Sequence, residues 1–436
     1  MSSTRWWWIS FLAAIGIALG AGGSQGACLY EAWKNGPSCS PGYFPIGVWL
    51  QEPSDAPAWA QAGINLYVGL WEGPTTAQLD ALRLAGMQTL AAQNAAALAY
   101  TKALPDGRPV VVGWTLPDEP DNKPKTPPSE VRALFDRIKS ADPTRPVYLG
   151  LSQGLGWDDA TWIGQDGQIR PARDYPAYLV ASDIAAFDIY PMTSTRAAVA
   201  GDAWRVALGV DRLRQYSPPG RIIWNTIETG NIPDSFCARH WPSSTLCRAL
   251  TRLLRAEPAV SDRRAAPKVI RAEVWMSILH GSRGIIYFIH GKSQSSLFDP
   301  RALLRPENAE YLLAVTTINA ELNSLGAIIQ LPSASGLVSL EDVLGTSPVD
   351  YTVKASSGRI HIFAVGMRAE RTRKCFHTAL IAEGSATVIG ESRALQIKNG
   401  AFSDDFDGFE AHLYRIDTGI IPSLLPSHRS PSGTVH

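Results

Sequence analysis

Two carboxyl groups stand side by side between prolines in Pro117-Asp118-Glu119-Pro120, directly after the apolar run 110–116. β-Branched valines favour a buried strand, and proline cannot continue a hydrogen-bond ladder, so we expect the strand to end where the acids begin. One protonated and one ionised carboxyl can share proton transfer. Parallel α/β proteins hold their chemistry past the C-terminal ends of such strands. An ordinary acidic turn has the same composition, so a second acid must support the site.

A second segment of this form lies downstream at residues 221–230 (RIIWNTIETG), where Glu228 ends an apolar run. A lone Glu at the end of a strand that contains Trp and Asn has few structural reasons to be there. We therefore predict that Glu119 and Glu228 form the catalytic pair. Asp188, in the segment 187–191 (FDIYP), suits either a contact with a neighbouring loop or a contact with substrate.

Composition limits the possible partners. The chain has 436 residues, which suggests one large domain and a smaller one. Forty basic residues balance forty acidic ones, so no global field recruits nucleic acid or an anionic membrane. Fourteen Trp, thirteen Tyr and twelve Phe form a heavy aromatic load, and aromatic rings stack on the apolar faces of sugars.

The first 27 residues have the form of a signal peptide: Arg5, an apolar stretch at 6–20, then small residues. The stretch is short for a membrane span, and an uncleaved anchor is the alternative. We therefore expect a secreted or periplasmic protein that contacts no membrane once the peptide is cleaved. The five cysteines fit an oxidising compartment, with Cys28–Cys39 and Cys237–Cys247 as candidate disulfides and Cys375 left over. Their spacings match no zinc site.

Short apolar strands alternate with amphipathic helices from residue 44 to residue 325. Strands are predicted at 44–50, 64–71, 87–94, 110–116, 145–153, 184–190, 221–228 and 284–290. Helices are predicted at 57–62, 75–85, 129–140, 195–215, 269–280 and 307–325, with Thr75 or Thr76 and Ser129 as N-caps and Gly326 as a C-terminal stop. Eight such strands predict an α/β fold, a (β/α)₈ TIM barrel over 41–330. A doubly wound sheet is the competitor, but no Gly-x-Gly-x-x-Gly follows the first strand.

The chain changes character after Pro332. Residues 336–418 contain short alternating strands, predicted at 352–357, 359–367, 377–383, 394–400 and 409–416, and these predict a small antiparallel β-sandwich. Residues 420–436 are rich in Ser and Pro and are predicted to be disordered. The insertion 231–267 after the seventh strand begins on the face that carries the acids, and it either walls the cleft or decorates the surface.

The C-terminal ends of the barrel strands should converge on one face. Beside the two glutamates, the predicted lining consists of aromatic, amide and acidic side chains: Trp49, Gln51, Tyr67, Trp71, Gln93, Asn94, Trp114, Asp118, Gln153, Asp188, Tyr190 and Tyr287. Such a lining suits a polyhydroxylated ring, because aromatic faces stack on it and the polar groups bind its hydroxyls. Glu273, His280, His290 and Trp224 are expected to serve ion pairing or packing.

Two glutamates after strands four and seven resemble the large clan of retaining glycoside hydrolases that share the (β/α)₈ barrel. Residues 275–290 (WMSILHGSRGIIYFIH) are similar to the Trp-x-x-x-x-x-Gly-x-x-Gly-hydrophobic pattern before that clan's last strand. The resemblance implies Glu119 as acid/base, Glu228 as nucleophile, and an oligo- or polysaccharide substrate. Many members have Asn-Glu after strand four, where this chain has Asp118-Glu119.

This mechanism requires no metal or organic cofactor, and no motif suggests one. Hypothetical supporting roles go to Tyr287 or Tyr190, which would hydrogen-bond Glu228, and to Trp275 and Trp49, which would form a sugar platform. Three alternatives remain: a catalytically inactive barrel that binds glycans, a scaffold whose partner surface is the β-sandwich, and an inverting glycosidase with Asp118 or Asp188 as base. No pattern indicates an oligomeric state.

Overall fold

A computed structural model describes residues 28–103, 109–122, 124–164, 166–194, 196–230, 264–291 and 299–419. The signal segment, the Cys237–Cys247 pair, most of the 231–267 insertion and the tail from residue 420 lie outside these residues, and the predictions for them stay predictions.

Eight parallel strands close into a barrel, which confirms the predicted fold. They are β1 (Ile46–Gln51), β2 (Leu66–Leu70), β3 (Gln88–Ala92), β4 (Val111–Thr115), β5 (Val147–Leu151), β6 (Ile184–Phe187), β7 in two parts (Ile222–Ile223 and Asn225–Glu228) and β8 (Ile285–Phe288). Each strand pairs with its neighbour in the chain, and β8 pairs with β1. The first part of β7 pairs with β6, the second part pairs with β8, and a bridge joins Asp188 to Thr226.

Within the described residues, eight α-helices accompany these strands: α1 (Ala56–Gln61), α2 (Thr76–Leu84), α3 (Ala95–Ala103), α4 (Pro128–Ala141), α5 (Tyr175–Leu179), α6 (Arg205–Tyr216), α7 (Pro267–Leu279) and α8 (Ala309–Ile329). Thr75 caps α2 in a capping box with Gln78, as one of the two predicted caps. The sequence analysis did not predict α3 or α5.

Three predicted helix boundaries are wrong. Helix α6 begins at Arg205 rather than at residue 195. Helix α4 has Pro128 at its first position and Pro127 before it, so Ser129 is not the cap. Helix α8 continues through Gly326, where an added Cβ would lie 2.0 Å from the carbonyl oxygen of Gly42. That glycine therefore permits a close backbone approach and does not stop the helix.

The barrel interior is filled by alternate strand residues: Leu66, Val68, Leu90, Val112, Tyr148, Ile184, Ala186, Ile222, Trp224 and Ile286. The intervening residues pack outward against the helices, as the period of two in a strand requires. At the N-terminal end of the barrel, Trp224 Nε1 donates to Tyr30 Oη at 3.1 Å, and the disulfide Cys28–Cys39 confirms one predicted pair. Trp224 is thus a core residue, as expected.

Two antiparallel sheets follow the barrel. One contains Val338–Leu344, Thr372–Thr378 and Ala401–Phe406; the other contains Val349–Ser356, Arg359–Gly366, Ala411–Asp417, Gly384–Val388 and Arg393–Ile397. They share a core that includes Phe376 and Phe402 from the first sheet and Ile362 and Tyr414 from the second. The predicted strand 377–383 is wrong, because that segment spans a strand end and a turn.

The sandwich contacts the barrel through α7. The Trp275 ring lies 4.9 Å from that of Phe363, and Arg271 donates to the carbonyl of Ala411. His280 lies between two carboxylates, with Nδ1 at 2.8 Å from Asp211 and Nε2 at 3.0 Å from Asp350. Burial acts to lower the pKa of His280, but the two carboxylates raise it to about 9, so the imidazole is charged at neutral pH.

One helix within the described residues, Pro306–Ile329, is long and apolar enough by length and composition to cross a membrane. The same helix buries Val315, Ile318 and Leu322 against the barrel core. A buried core helix of a folded barrel satisfies the same criteria of length and composition.

Candidate functional site

Three carboxylates converge at the open end of the barrel. Asp118 is exposed, and Glu119 and Asp188 are half-buried. Burial, and after it the charges of Asp188, Glu119 and Asp118, raise the pKa of Tyr190 well above its usual range. Burial and the charges of Asp118 and Asp188 likewise raise the pKa of Tyr148. The ends of β4 and β6 thus place these predicted acids and Tyr190 within electrostatic reach of one another.

Glu119 is held by its own turn. Its φ of 43° lies in the left-handed region, which non-glycine residues rarely adopt and which often marks functional sites. Its backbone N–H donates to the carbonyl of Gly150 at 3.2 Å. Asn122 Nδ2 donates to Glu119 Oε2 at 2.6 Å, and the Asn122 N–H donates to the Glu119 carbonyl at 2.9 Å. These contacts fix the direction in which the carboxyl points.

A second set of contacts fixes that turn. Asp121 accepts hydrogen bonds from Ser152 Oγ at 2.5 Å and from the Ser152 N–H at 3.0 Å. Arg170 donates to the carbonyls of Asp121 and Asn122 and to Asp166. Burial raises the pKa of Asp121 to about 6. The turn after β4 is therefore bonded both to the end of β5 and to Arg170, which lies in a short antiparallel pair of Trp162–Ile163 with Ile169–Arg170.

Glu228 ends β7 as predicted, but its environment differs from that of Glu119. Its side chain is only 1% exposed. Oε1 accepts the Met192 N–H at 2.7 Å, and Oε2 accepts the Thr193 N–H at 3.0 Å and Thr193 Oγ1 at 2.8 Å. Burial acts to raise its pKa, and these donors oppose that effect by stabilising the ionised carboxylate. Both carboxylate oxygens therefore bind the segment after β6.

An aromatic wall borders the mouth. The rings of Tyr190 and Phe288 lie 5.1 Å apart, those of Phe288 and His290 4.9 Å, and those of His290 and Trp71 6.0 Å. Burial lowers the pKa of His290 to about 4, so this ring is neutral at neutral pH. Trp49 packs half-buried against the barrel interior. Trp49, Trp71 and Tyr190 were predicted to line the site. His290 was expected to serve packing and Phe288 was not singled out, although their spacing of two at a strand end is the signal for a shared face.

Four predicted aromatic residues lie away from the mouth: three strand residues face outward, and Trp275 lies on α7 and packs on the sandwich. Trp114 Nε1 donates to Asp142 at 3.1 Å, and Tyr67 Oη donates to the Glu52 carbonyl at 3.4 Å. Tyr287 Oη donates to Asn319 at 2.9 Å and does not hold Glu228. Trp275 is fully buried, and its Nε1 donates to Glu321 at 2.7 Å, so it forms no sugar platform.

Three predicted amides have structural partners instead. Gln51 is fully buried and donates to the carbonyl of Trp49 at 3.1 Å. Gln93 donates to the carbonyl of Ile138 in α4 at 3.2 Å. Asn94 accepts the Ala97 N–H at 2.8 Å at the start of α3. Gln153 is half-buried at the beginning of the turn after β5 and stays a candidate.

No group of three His, Cys, Asp or Glu side chains in the described part of the chain is arranged to hold a metal ion. The arrangement at the mouth is thus one of carboxyl groups, a phenol and aromatic faces. Such a set can move protons and bind hydroxyl-rich molecules.

No family model matches the chain, and no curated protein matches it. Among solved structures it is similar to an alpha-amylase from Geobacillus thermoleovorans complexed with acarbose, with a TM-score of 0.49 and 10% identity over 87% of this chain and 99% of that one. A glycoside hydrolase family 5 protein from Bacteroides vulgatus gives 0.48 and 13% over 88% and 92%. A GH30 endoxylanase from Clostridium papyrosolvens gives 0.45 and 11% over 86% and 96%.

Proposed function

We propose that this protein hydrolyses glycosidic bonds at the barrel mouth, with Glu119 as proton donor to the leaving oxygen and Asp188 as the second carboxylate. The observation that carries the proposal is the convergence of Asp118, Glu119 and Asp188 around Tyr190. Glycoside hydrolysis uses two carboxyl groups that flank the scissile bond. The aromatic wall beside them suits the apolar faces of a sugar.

The surroundings give the two carboxyls different roles. Glu119 is directed by its strained turn and by Asn122. Asp188 hydrogen-bonds the Tyr190 hydroxyl, and a donor to a carboxylate favours its ionised form. An ionised Asp188 can activate a water molecule, which inverts the anomeric configuration, or attack the sugar itself, which retains it. The configuration of the first product therefore reports how Asp188 acts.

A second candidate is a retaining double displacement with Glu119 as acid/base and Glu228 as nucleophile. Its support is the position of the two residues at the ends of β4 and β7. In this mechanism an anomeric carbon would have to reach a carboxyl group that is 1% exposed and that already accepts hydrogen bonds from Met192 and Thr193. That requirement makes it the weaker candidate.

The test uses Glu119→Gln, Asp188→Asn and Glu228→Gln, with Glu130→Gln on the exposed face of α4 as control. Hydrolysis of a panel of glycans should fall by roughly 10²–10⁴-fold in the first two variants with little change in melting temperature, because general acid and base groups contribute about that much. Proton NMR of the first product gives the stereochemistry. Wild-type rates in Glu119→Gln and Asp188→Asn would refute the assignment. Glycan binding without any hydrolysis by the native protein would indicate an inactive glycan-binding barrel.

We further propose that the protein is exported. The leader-like segment 1–27 and the disulfide Cys28–Cys39 support this location, because disulfides form in oxidising compartments. The expected result is a mature chain that begins near Cys28, found by mass spectrometry in the culture medium or periplasm. A full-length chain in the cytoplasm would contradict it.

A further inference from the structure

Glu273 is a fully buried carboxyl group on α7, the helix that packs outside β7. Among the residues that the structure describes, neither of its oxygens has a hydrogen-bond donor. Its side chain contacts that of Glu228. Burial and the charge of Glu228 raise the pKa of Glu273 well above its usual range. The sequence analysis assigned Glu273 to an ion pair, and within the described residues no salt bridge involves it.

The two partners of this contact differ in what surrounds them. Glu228 accepts three hydrogen bonds, from two backbone N–H groups and one hydroxyl. An ionised carboxylate is acceptor-only, whereas a protonated one must direct one hydrogen at an acceptor. Glu228 is therefore the ionised member of the pair. Two buried carboxylates side by side repel each other strongly, so the neighbour must carry a proton.

We propose that Glu273 is the protonated member of a buried carboxyl pair and donates its proton to Glu228, so that ionised Glu228 clamps the backbone of Met192 and Thr193. This makes both glutamates positioning residues. The clamp fixes the turn that begins two residues after Tyr190 and four residues after Asp188, and so it sets where those two side chains enter the mouth.

The clamp consists mainly of hydrogen bonds from backbone N–H groups, which limits the substitutions that can remove it. Two of its three donors are N–H groups that no substitution at 192 or 193, other than proline, removes. Substitution of the acceptor Glu228 is therefore the change that breaks the clamp. Glu228 also depends on the proton that Glu273 carries. The inference does not depend on glycoside hydrolysis, because it concerns the fold of the segment after β6.

The test compares Glu228→Gln with Glu273→Gln. A glutamine at 273 still donates an N–H to Glu228, so the amide hydrogens of Met192 and Thr193 should exchange at a rate within about twofold of the native rate. A glutamine at 228 turns an NH₂ group toward N–H donors, so the same amides should exchange at least about tenfold faster and the melting temperature should fall. The reverse order, or equal effects, would overturn the proposal.

A second measurement covers the case in which Glu228→Gln does not fold. The native protein at neutral pH should show the infrared carbonyl band of a protonated carboxylic acid. Glu273→Gln should lack the band, and Glu130→Gln, whose carboxyl is exposed, should keep it. A band that is absent from the native protein, or that survives in Glu273→Gln, would overturn the assignment.

Discussion

Glu119 and Glu228 follow barrel strands in the same way, yet the structure gives them opposite surroundings. Glu119 is half-buried on a strained turn and accepts a hydrogen bond from Asn122. Glu228 is 1% exposed, binds two backbone amides and a hydroxyl, and contacts a second buried carboxyl. The position at a strand end determines where a carboxyl lies along the barrel axis. The segment that covers the carboxyl then determines whether it is accessible at the mouth or fixes the neighbouring backbone.

The largest expected effect that distinguishes the Glu228 site from the Glu119 site is the pH dependence of protein stability that Glu273 causes. A carboxyl whose folded-state pKa is raised stabilises the protein below its unfolded value of 4.5, and that contribution is lost as the pH rises toward the folded value. As the pH rises above 4.5, native stability should therefore fall relative to that of Glu273→Gln, by at most about 1.4 kcal/mol per pH unit. Urea unfolding at four pH values measures it. Parallel stability curves for the two proteins would contradict a buried protonated Glu273.

An intermediate effect is expected from Thr193→Val, which deletes the hydroxyl donor to Glu228 at nearly constant volume. Hydrogen bonds to charged groups contribute about 1.5–3 kcal/mol, so we expect the free energy of unfolding to fall by about 2 kcal/mol. The control is Thr317→Val on the exposed side of α8, where a change within about 0.5 kcal/mol is expected. Equal losses at the two sites would mean that Glu228 is not the clamp.

The smallest effect in free energy belongs to Asn122→Ala, the corresponding change beside Glu119. Loss of the 2.6 Å hydrogen bond frees the Glu119 carboxyl, so hydrolysis should slow by about tenfold, or about 1.4 kcal/mol. The cost to stability should stay near 1 kcal/mol, because Glu119 is only half-buried and water can hydrogen-bond its carboxyl after the deletion. Steady-state rates and a melting curve on one preparation separate the two quantities. A stable variant with an unchanged rate would remove Asn122 from the site.

The fold was predictable from local signals, because short apolar strand runs that alternate with amphipathic segments indicate parallel strands and helices. The side of a strand on which a single side chain lies was not predictable in the same way. Pairing between β3 and β4 shifts register near Val112, where Thr89 pairs with Val111 but Leu90 pairs with Gly113. A shift of one residue reverses the face of every later side chain, and Trp114 accordingly faces the helices.

The two glutamates show a similar limit. Their positions after apolar runs were visible in the sequence, whereas the partners of Glu228 come from distant segments, Met192, Thr193 and Glu273. Such contacts depend on how α7 and the segment after β6 pack in three dimensions. By contrast, Asn122 lies three residues after Glu119, and a polar residue at that spacing within a turn is a local signal that the sequence analysis did not use.

Helix α7 faces the barrel with Glu273 and the sandwich with Trp275 and His280. A chain that lost residues 336–418 would expose the Trp275 face that packs on Phe363 and leave His280 without Asp350. Recombination could therefore not replace the sandwich by an unrelated domain, because the replacement would have to supply the same contacts to α7. Barrel and sandwich are expected to be inherited together, and changes in either are constrained by the helix between them.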